Sequence, residues 1–353
     1  MEDAEVVATI ALTLVPGVGP QRIRLLLSTY GSAQAAIAAP QARLNASVEA
    51  AERVRAQLAE LGARVLVLGA PDFPPQLEEI RDAPPILYVW GDVSLLSRPS
   101  VAIVGSRDHT DYGAQAARIL AGAVAPYAVV VSGMARGIDA IAHHAALDAG
   151  GRSIGVLGNG FGVVYPQSNR ELYDRMVQHG CLVTEHPPWE KPHTGSFPRR
   201  NRLISGLSKA VVVVEADRKS GALNTAHEGL QQGRTILGVP GPITSPTSSG
   251  TNELIRDGAT PALTAGDILE AIGISAPLSE LGIALSTPAP RVPPVDLTGL
   301  QLTLWNRMTA EPQQVDALVG ATRTSPSEVL GALTELELRG LVRQGPGMVF
   351  GLC

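Results

Sequence analysis

Residues 101–107 read VAIVGSR: four apolar residues, then Gly105, Ser106 and Arg107 where the chain must turn. The same grammar returns twice. Val129–Val131 is followed by Ser132-Gly133-Met134-Ala135-Arg136-Gly137-Ile138-Asp139, and Ser153–Leu157 by Gly158-Asn159-Gly160-Phe161-Gly162. Further apolar runs occupy Leu182–Thr184, Ala210–Glu215, Thr235–Val239 and Pro261–Leu263. Segments of helical period separate them. Short apolar runs without polar alternation, each followed by an amphipathic helix, predict a mostly parallel sheet covered on both faces. The expected fold class is α/β, an extended Rossmann-like doubly wound sheet, where ligands bind outside the carboxyl ends of the strands.

The residues at those strand ends have phosphate chemistry. Small residues before a helix leave backbone N–H groups and the positive helix end free to attract an anion, and Ser and Arg add donors suited to phosphate oxygens. A second signal lies in Lys191–Lys209, KPHTGSFPRRNRLISGLSK, which carries five basic and no acidic residues. Over 99–275 basic and acidic residues balance at 15 each, so this is a local excess. Arg218, Lys219, Ser220 and Gly221 follow the next apolar run and extend it. A continuous positive groove is therefore expected, with Gly105, Ser106, Arg107, Ser132, Gly133, Asn169, Arg170, Arg199, Arg200, Asn201, Arg202, Lys219, Ser220 and Gly221 as candidate phosphate contacts. Phe161, Phe197 and Tyr165 are the candidates for base stacking.

Signals for catalysis are weak. There is no G-x-x-x-x-G-K-[ST] loop, and Gly105-Ser106-Arg107-Asp108 stands where a G-x-G-x-x-G fingerprint would. His143 and His144 read as packing or surface residues, and no metal set or cofactor motif is recognisable. Glu185 and Glu215 end apolar runs without a partner at motif spacing. Binding without catalysis is the first expectation. Two alternatives stay open. One is an enzyme on nucleoside monophosphates, with Arg107 gripping the phosphate and Glu185 or Glu215 as acid. The other is a duplex-binding regulator.

The chain has 353 residues, 45% hydrophobic, 17% charged and 4% aromatic, with a formal charge of −5. Its N-terminus lacks a basic signal-peptide region, and no apolar run reaches a membrane span of about 20 residues. Cys181 and Cys353 are too few for a disulfide scaffold. A cytoplasmic protein is expected. Residues 1–70 read as short helices (Val6–Leu14, Pro20–Ser28, Ala33–Ala38, Ser47–Leu61) forming a small N-terminal domain, and 71–98 as a Pro-rich connector wrapping over a neighbour. Residues 71–275 form the α/β domain with this lead-in, and 276–296 a semi-rigid Pro-rich linker. Residues 297–353 give three helices and a ribbon, a winged helix, whose last helix opens on the capping box Ser325-Pro326-Ser327-Glu328.

Taken together, VAIVGSR (Val101–Arg107), SGMARGIDAIAHHAAL (Ser132–Leu147), GVLGNGFGVVYPQSN (Gly155–Asn169), FPRRNRLISGLS (Phe197–Ser208), VVVEADRKSGALNTA (Val212–Ala226), GRTILGVPG (Gly233–Gly241) and SGTNELIRDGA (Ser249–Ala259) resemble the DprA/Smf family of DNA-processing proteins. The resemblance covers roughly residues 70–265. It implies single-stranded DNA binding and delivery of that strand to the RecA recombinase in natural transformation, by a homodimer without catalytic activity. Gly105, Ser106, Arg107, Ser132, Gly133, Arg200, Asn201, Arg202, Ser220 and Gly221 fall on the family's motifs. Three positions depart from them: Gly162 stands where an Asp is usual, Gln167 where a Lys is frequent (with Arg170 nearby as the substitute charge), and Thr251 where a Cys is frequent. The Pro16–Pro20 turn resembles a helix-hairpin-helix. Glu328, Glu335 and Glu337 on the last helix of the winged helix argue for contact with protein rather than with phosphates.

Overall fold

The computed structural model describes residues 2–275, 294, 297, 299–308, 313–322, 324–345 and 347–352. The chain divides into two compact units, Met1–Ile283 and Ala284–Cys353. The linker expected over 276–296 lies outside the described residues apart from Pro294.

In the first unit, a nine-stranded sheet runs in the order β1-β2-β6-β5-β4-β3-β7-β8-β9. Its strands are β1 Arg64–Val67, β2 Ile86–Gly91, β3 Ser100–Val104, β4 Val129–Ser132, β5 Ser153–Val156, β6 Cys181–Thr184, β7 Ala210–Val213, β8 Thr235–Gly238 and β9 Thr260–Pro261. From β6 through β9 every pairing is parallel, as the unbroken apolar runs predict. Between the strands run α6 Asp111–Val124, α7 Ile138–Asp148, α8 Arg170–His179, α9 Ser196–Gly206, α10 Gly221–Gln231, α11 Ser249–Arg256 and α12 Ala265–Ala271. They are numbered after α1 Asp3–Thr13, α2 Pro20–Tyr30, α3 Ala33–Ala38, α4 Val48–Glu60 and α5 Pro75–Glu78. Alternate strand residues feed opposite faces: Val131 and Val211 join Leu203 and Leu207 on one side. Val130 and Val212 join Ala121 and Ala142 on the other. The strand order reverses at β3, so the loops leaving β3 and β7 open at a switch point.

Two strands lie where none is expected. Arg64–Val67, inside the segment read as helical, pairs antiparallel with Ile86–Gly91, inside the segment read as a wrapping connector. The latter strand pairs antiparallel with β6. Ile86, Leu87, Tyr88 and Val89 are all buried, a β-branched and aromatic run hidden between prolines and a glycine. The N-terminal helices pack on this extension. Val7, Ile10, Val54 and Leu58 share a core with Ile86, Tyr88, Leu172 and Met176.

The second unit is a winged helix, with α13 Gly299–Arg307, α14 Val315–Thr322 and α15 Pro326–Leu338. A sheet in the order β10-β12-β11 completes it, from β10 Gln313–Gln314, β11 Val342–Gly345 and β12 Val349–Leu352. The capping box forms as read: Ser325 accepts from the Glu328 N–H while the Glu328 carboxylate accepts from the Ser325 N–H. Glu337 accepts from the Gln344 N–H at 3.0 Å.

His143, on α7, is fully buried. Ser153 Oγ donates to the Val130 carbonyl, so it accepts from His143 Nδ1–H at 2.7 Å. Burial, with His144 and Arg200 nearby, pushes the imidazole down from 6.5 to about 3. A depressed folded-state value means that the unfolded chain binds the proton first, so stability is full above pH 6.5 and lost as pH falls toward 3. Wild type therefore loses about 2 kcal/mol more than His143→Gln between pH 7 and pH 5. Thermal unfolding of both proteins across that interval measures it; parallel curves would contradict the assignment.

Candidate nucleic-acid interface

Four loops and one helix meet at the carboxyl edge of the sheet. The loop after β3 is tied in two directions: Ser106 N–H donates to the Glu215 carbonyl at 2.8 Å, and Ile138 N–H to the Ser106 carbonyl at 3.1 Å. The loop after β4 wraps around a buried carboxylate. Asp139 Oδ2 accepts from Gly133 N–H at 3.1 Å and from Ala135 N–H at 3.4 Å. Desolvation raises the Asp139 carboxyl, against the pull of the Arg200 guanidinium and the surrounding donors. Gly133 is required by close approach: a Cβ there would overlap Arg200 Nη1 and lie 2.7 Å from Asp139 Oδ2.

Arg200 comes from α9 and reaches under both loops. Its Nη1 donates to the Gly133 carbonyl at 2.5 Å and to the Val156 carbonyl at 2.6 Å, joining the ends of β4 and β5. Asn169 Nδ2 completes the clamp from the loop before α8, donating to the Met134 and Ala135 carbonyls at 3.0 and 3.3 Å. Ser220 caps α10, accepting from Ala222 N–H at 3.3 Å, and Asn201 Nδ2 donates to the Gly221 carbonyl at 3.3 Å.

These elements enclose two adjoining cavities. The larger, about 570 Å³, is lined by residues that include Gly105, Ser106, Arg107, Asn201, Ser220 and Gly221. The smaller, about 270 Å³, is lined by Gly133, Gly158, Asn159 and Pro166 among others. Arg107, Tyr165, Phe197 and Arg200 border both. Tyr165 and Phe197 stand 5.5 Å apart between ring centroids, and the Arg107 guanidinium lies over the Phe197 ring at 5.3 Å. Arg107 has no carboxylate partner among the described residues. An exposed cation beside an aromatic edge suits a phosphate with a base attached.

Eight of the fourteen candidate contacts line these cavities: Gly105, Ser106, Arg107, Gly133, Arg200, Asn201, Ser220 and Gly221. The other six stand elsewhere. Ser132 Oγ is buried and donates to the Ile103 carbonyl at 2.6 Å, so it fastens β4 to β3. Asn169 acts from behind the loop. Arg170 is exposed and reaches Gln167 at 3.4 Å. Lys219 is exposed beside the cap of α10. Arg199 pairs with Glu185 at 3.0 Å. Arg202 is buried between Glu185 at 2.6 Å and Asp82 at 2.9 Å. The continuous positive groove read from this run is thus divided, because Glu185 draws two of its three arginines aside. Phe161 is also not at the edge: it is buried and tilted against Trp90 at 5.8 Å.

The sequence reading passed over Asn224 and Thr225, which line the larger cavity. They lie three and four residues beyond Gly221 on α10, and that spacing was the signal for a shared face. The two glutamates offered as acids line neither cavity. Glu215 is buried, accepting from Thr110 N–H at 2.8 Å, Thr110 Oγ1 at 2.6 Å and Thr247 Oγ1 at 3.1 Å.

Arg202 and Arg107 should therefore behave oppositely. Arg202→Ala leaves Glu185 partly uncompensated and is expected to destabilise the fold by about 3–5 kcal/mol. Arg107→Ala, at an exposed position, should change stability by no more than ~0.5 kcal/mol. Urea unfolding of both variants checks the division; equal midpoints would refute it.

A sequence model described as DNA recombination-mediator protein A matches residues 64–273, and one described as DprA winged helix domain matches 288–348. The DNA processing protein DprA of Bacillus subtilis is 42% identical over 220 residues, covering 62% of this chain and 74% of that protein. Protein Smf of Synechocystis is 35% identical over 307 residues, covering 79% of this chain and 77% of its own. Among solved structures, DprA from Streptococcus pneumoniae superposes with a TM-score of 0.66 at 29% identity, covering 78% of this chain and all of that one. DprA from Helicobacter pylori, studied for its single-stranded DNA binding mode, gives 0.54 at 31% identity over 60% of this chain and 95% of its own. With the family's sequence model spanning most of the sheet and its strand-end loops, and a second model on the winged helix, the chain belongs to the DprA/Smf family of DNA recombination mediators.

Proposed function

We propose that this chain binds single-stranded DNA at the carboxyl edge of its sheet and passes the strand to a RecA recombinase, in natural transformation and in repair. The observation that carries the binding is Arg107, an exposed guanidinium without a carboxylate partner among the described residues, set over Phe197 at the mouth of two cavities. The family membership supports the handover, and the H. pylori relative supports the single strand as ligand. A duplex-reading role for the winged helix is less favoured, since Glu335 and Glu337 on α15 would face phosphates with like charge. A nucleotide-cleaving role is less favoured too. Glu185 and Glu215 are engaged in the fold and line neither cavity.

The cytoplasm is the compartment that fits such a partner. No described helix is long and apolar enough to cross a membrane. A homodimer is part of the proposal. Ile243 and Leu263, 96% and 59% exposed, follow β8 and β9 and offer apolar surface for a second copy. Leu263→Glu is expected to shift the protein toward monomer in light scattering, and an unchanged mass would move the dimer contact elsewhere.

Salt-dependent binding distinguishes contact from support. Each neutralised phosphate on a single strand contributes about 0.7 to the slope of log K against log salt. Arg107→Ala is expected to weaken binding to oligo-dT and to flatten that slope by roughly this amount. Arg200→Lys keeps a charge, but its shorter side chain does not place a donor between the Gly133 and Val156 carbonyls, so affinity should fall while the slope stays. Wild-type affinity in Arg107→Ala would refute the site. Release of free base from nucleoside monophosphates would refute binding without catalysis.

A further inference from the structure

Trp189 is 48% exposed although it sits in one of the most firmly held turns of the molecule. Residues 187–190 read Pro-Pro-Trp-Glu, and Glu190 N–H closes the turn on the Pro187 carbonyl at 3.0 Å. Two further backbone bonds fix this turn to the glycine loop after β5. Gly160 N–H donates to the Glu190 carbonyl and Gly162 N–H to the Pro188 carbonyl, both at 2.9 Å. Gly162 stands where the family pattern has an aspartate, and a Cβ there would lie 2.9 Å from the Pro188 carbonyl oxygen. The missing side chain lets the turn sit close. An indole held out on a pinned backbone has lost little freedom to stack, unlike one on a mobile loop.

The turn is joined to the cavities on both sides. The glycine loop that pins it begins with Gly158 and Asn159, which line the smaller cavity. Downstream, the segment leaving Trp189 reaches Thr194 on the larger cavity. Between them Lys191 is exposed, with no carboxylate partner among the described residues. The neighbouring Glu190 is turned back onto His186 Nδ1 at 3.0 Å and faces His193 Nε2 at 3.7 Å. Between two segments that line the cavities the chain thus carries an exposed indole and an exposed ammonium.

We infer that Trp189 is a stacking platform for one nucleobase of a bound single strand, with Lys191 meeting the adjacent phosphate, so that the track extends beyond the cavities. The inference rests on the proposed single-strand site. Stacking tolerates any base, because every base has a π-face, and it adds affinity without adding to the salt slope. The ammonium adds to both.

The test uses the full chain with two dT oligonucleotides, one only long enough to fill the cavities and one longer. The long oligonucleotide is expected to quench indole fluorescence, and Trp189→Phe to lose most of that quench while retaining affinity. Trp189→Ala should weaken the long oligonucleotide roughly tenfold and leave the short one unchanged. Lys191→Ala should reduce the salt slope by about 0.7 for the long oligonucleotide alone. Arg107→Ala, measured beside them, should weaken both lengths. If Arg107→Ala weakens binding and Trp189→Ala does not, the platform is overturned and the cavity site stands. If neither weakens it, the single-strand site itself fails. An unchanged slope in Lys191→Ala removes the phosphate from this end of the track.

Discussion

Arg200 holds the carbonyls of Gly133 and Val156 with one nitrogen, and the site depends on that bridge. Parallel strands end in loops whose backbone groups have no ladder partner, so their carbonyls and N–H groups need other company. Here a buried guanidinium takes the carbonyls and Asp139 takes the N–H groups of Gly133 and Ala135. Each charge answers the other, since burial disfavours both and their attraction opposes it. The loop after β4 is thereby fixed before any ligand arrives, and its fixed shape lines the smaller cavity. A preformed cavity loses less on binding than one that must be ordered by its ligand.

The same constraint separates two uses of positive charge that look alike in sequence. Arg199 and Arg202 lie three apart on α9 and share a face, which Glu185 occupies from the end of β6. Arg200 lies between them at about 100° and points instead under the loops. Glu185, buried against two arginines, ties α9 to the end of β6 and lines neither cavity. Arg107 has no such partner among the described residues and stands exposed where the two cavities meet. Formal charge over 99–275 is zero, yet at the carboxyl edge of the sheet Arg107 is exposed and without a carboxylate partner among the described residues, while Glu185 pairs with Arg199 and Arg202. Distribution, not total, sets the local potential that a phosphate chain meets.

Legibility in the sequence follows the same physics. The parallel strands could be read because both their faces are buried, which makes the runs apolar throughout, as in Val101–Val104 and Val129–Val131. The antiparallel extension could not. Arg64–Val67 is short and abuts a helix, and Ile86–Trp90 is enclosed by prolines that speak for a loop. The glycine turns were legible as tight turns between strand and helix from local chemistry alone. Which arginine is tied up in the fold was not, because that depends on Glu185 and Asp82, carboxylates 17 and 120 residues from Arg202 in the chain. Asn169 lies in the expected region but plays a different part, because its amide serves carbonyls of the loop and not phosphate oxygens.

Motif residues of such a site therefore divide by what surrounds them. A polar side chain whose hydrogen-bonding groups are engaged by backbone, as in Ser132 and Asn169, shapes the loop and is costly to replace whether or not DNA is present. A polar side chain with unused donors and solvent access, as in Arg107, gives the fold little and is cheap to replace in the absence of DNA. Arg200 stands between the two classes. It is almost wholly buried, borders both cavities and still leaves Nε without a partner. Its charge adds to the potential at the cavity floor while its geometry serves the loops. That double duty favours arginine over lysine at this position, since Nη1 reaches the Gly133 and Val156 carbonyls from one bond farther along the side chain than a lysine ammonium lies, while the rest of the guanidinium borders the cavities.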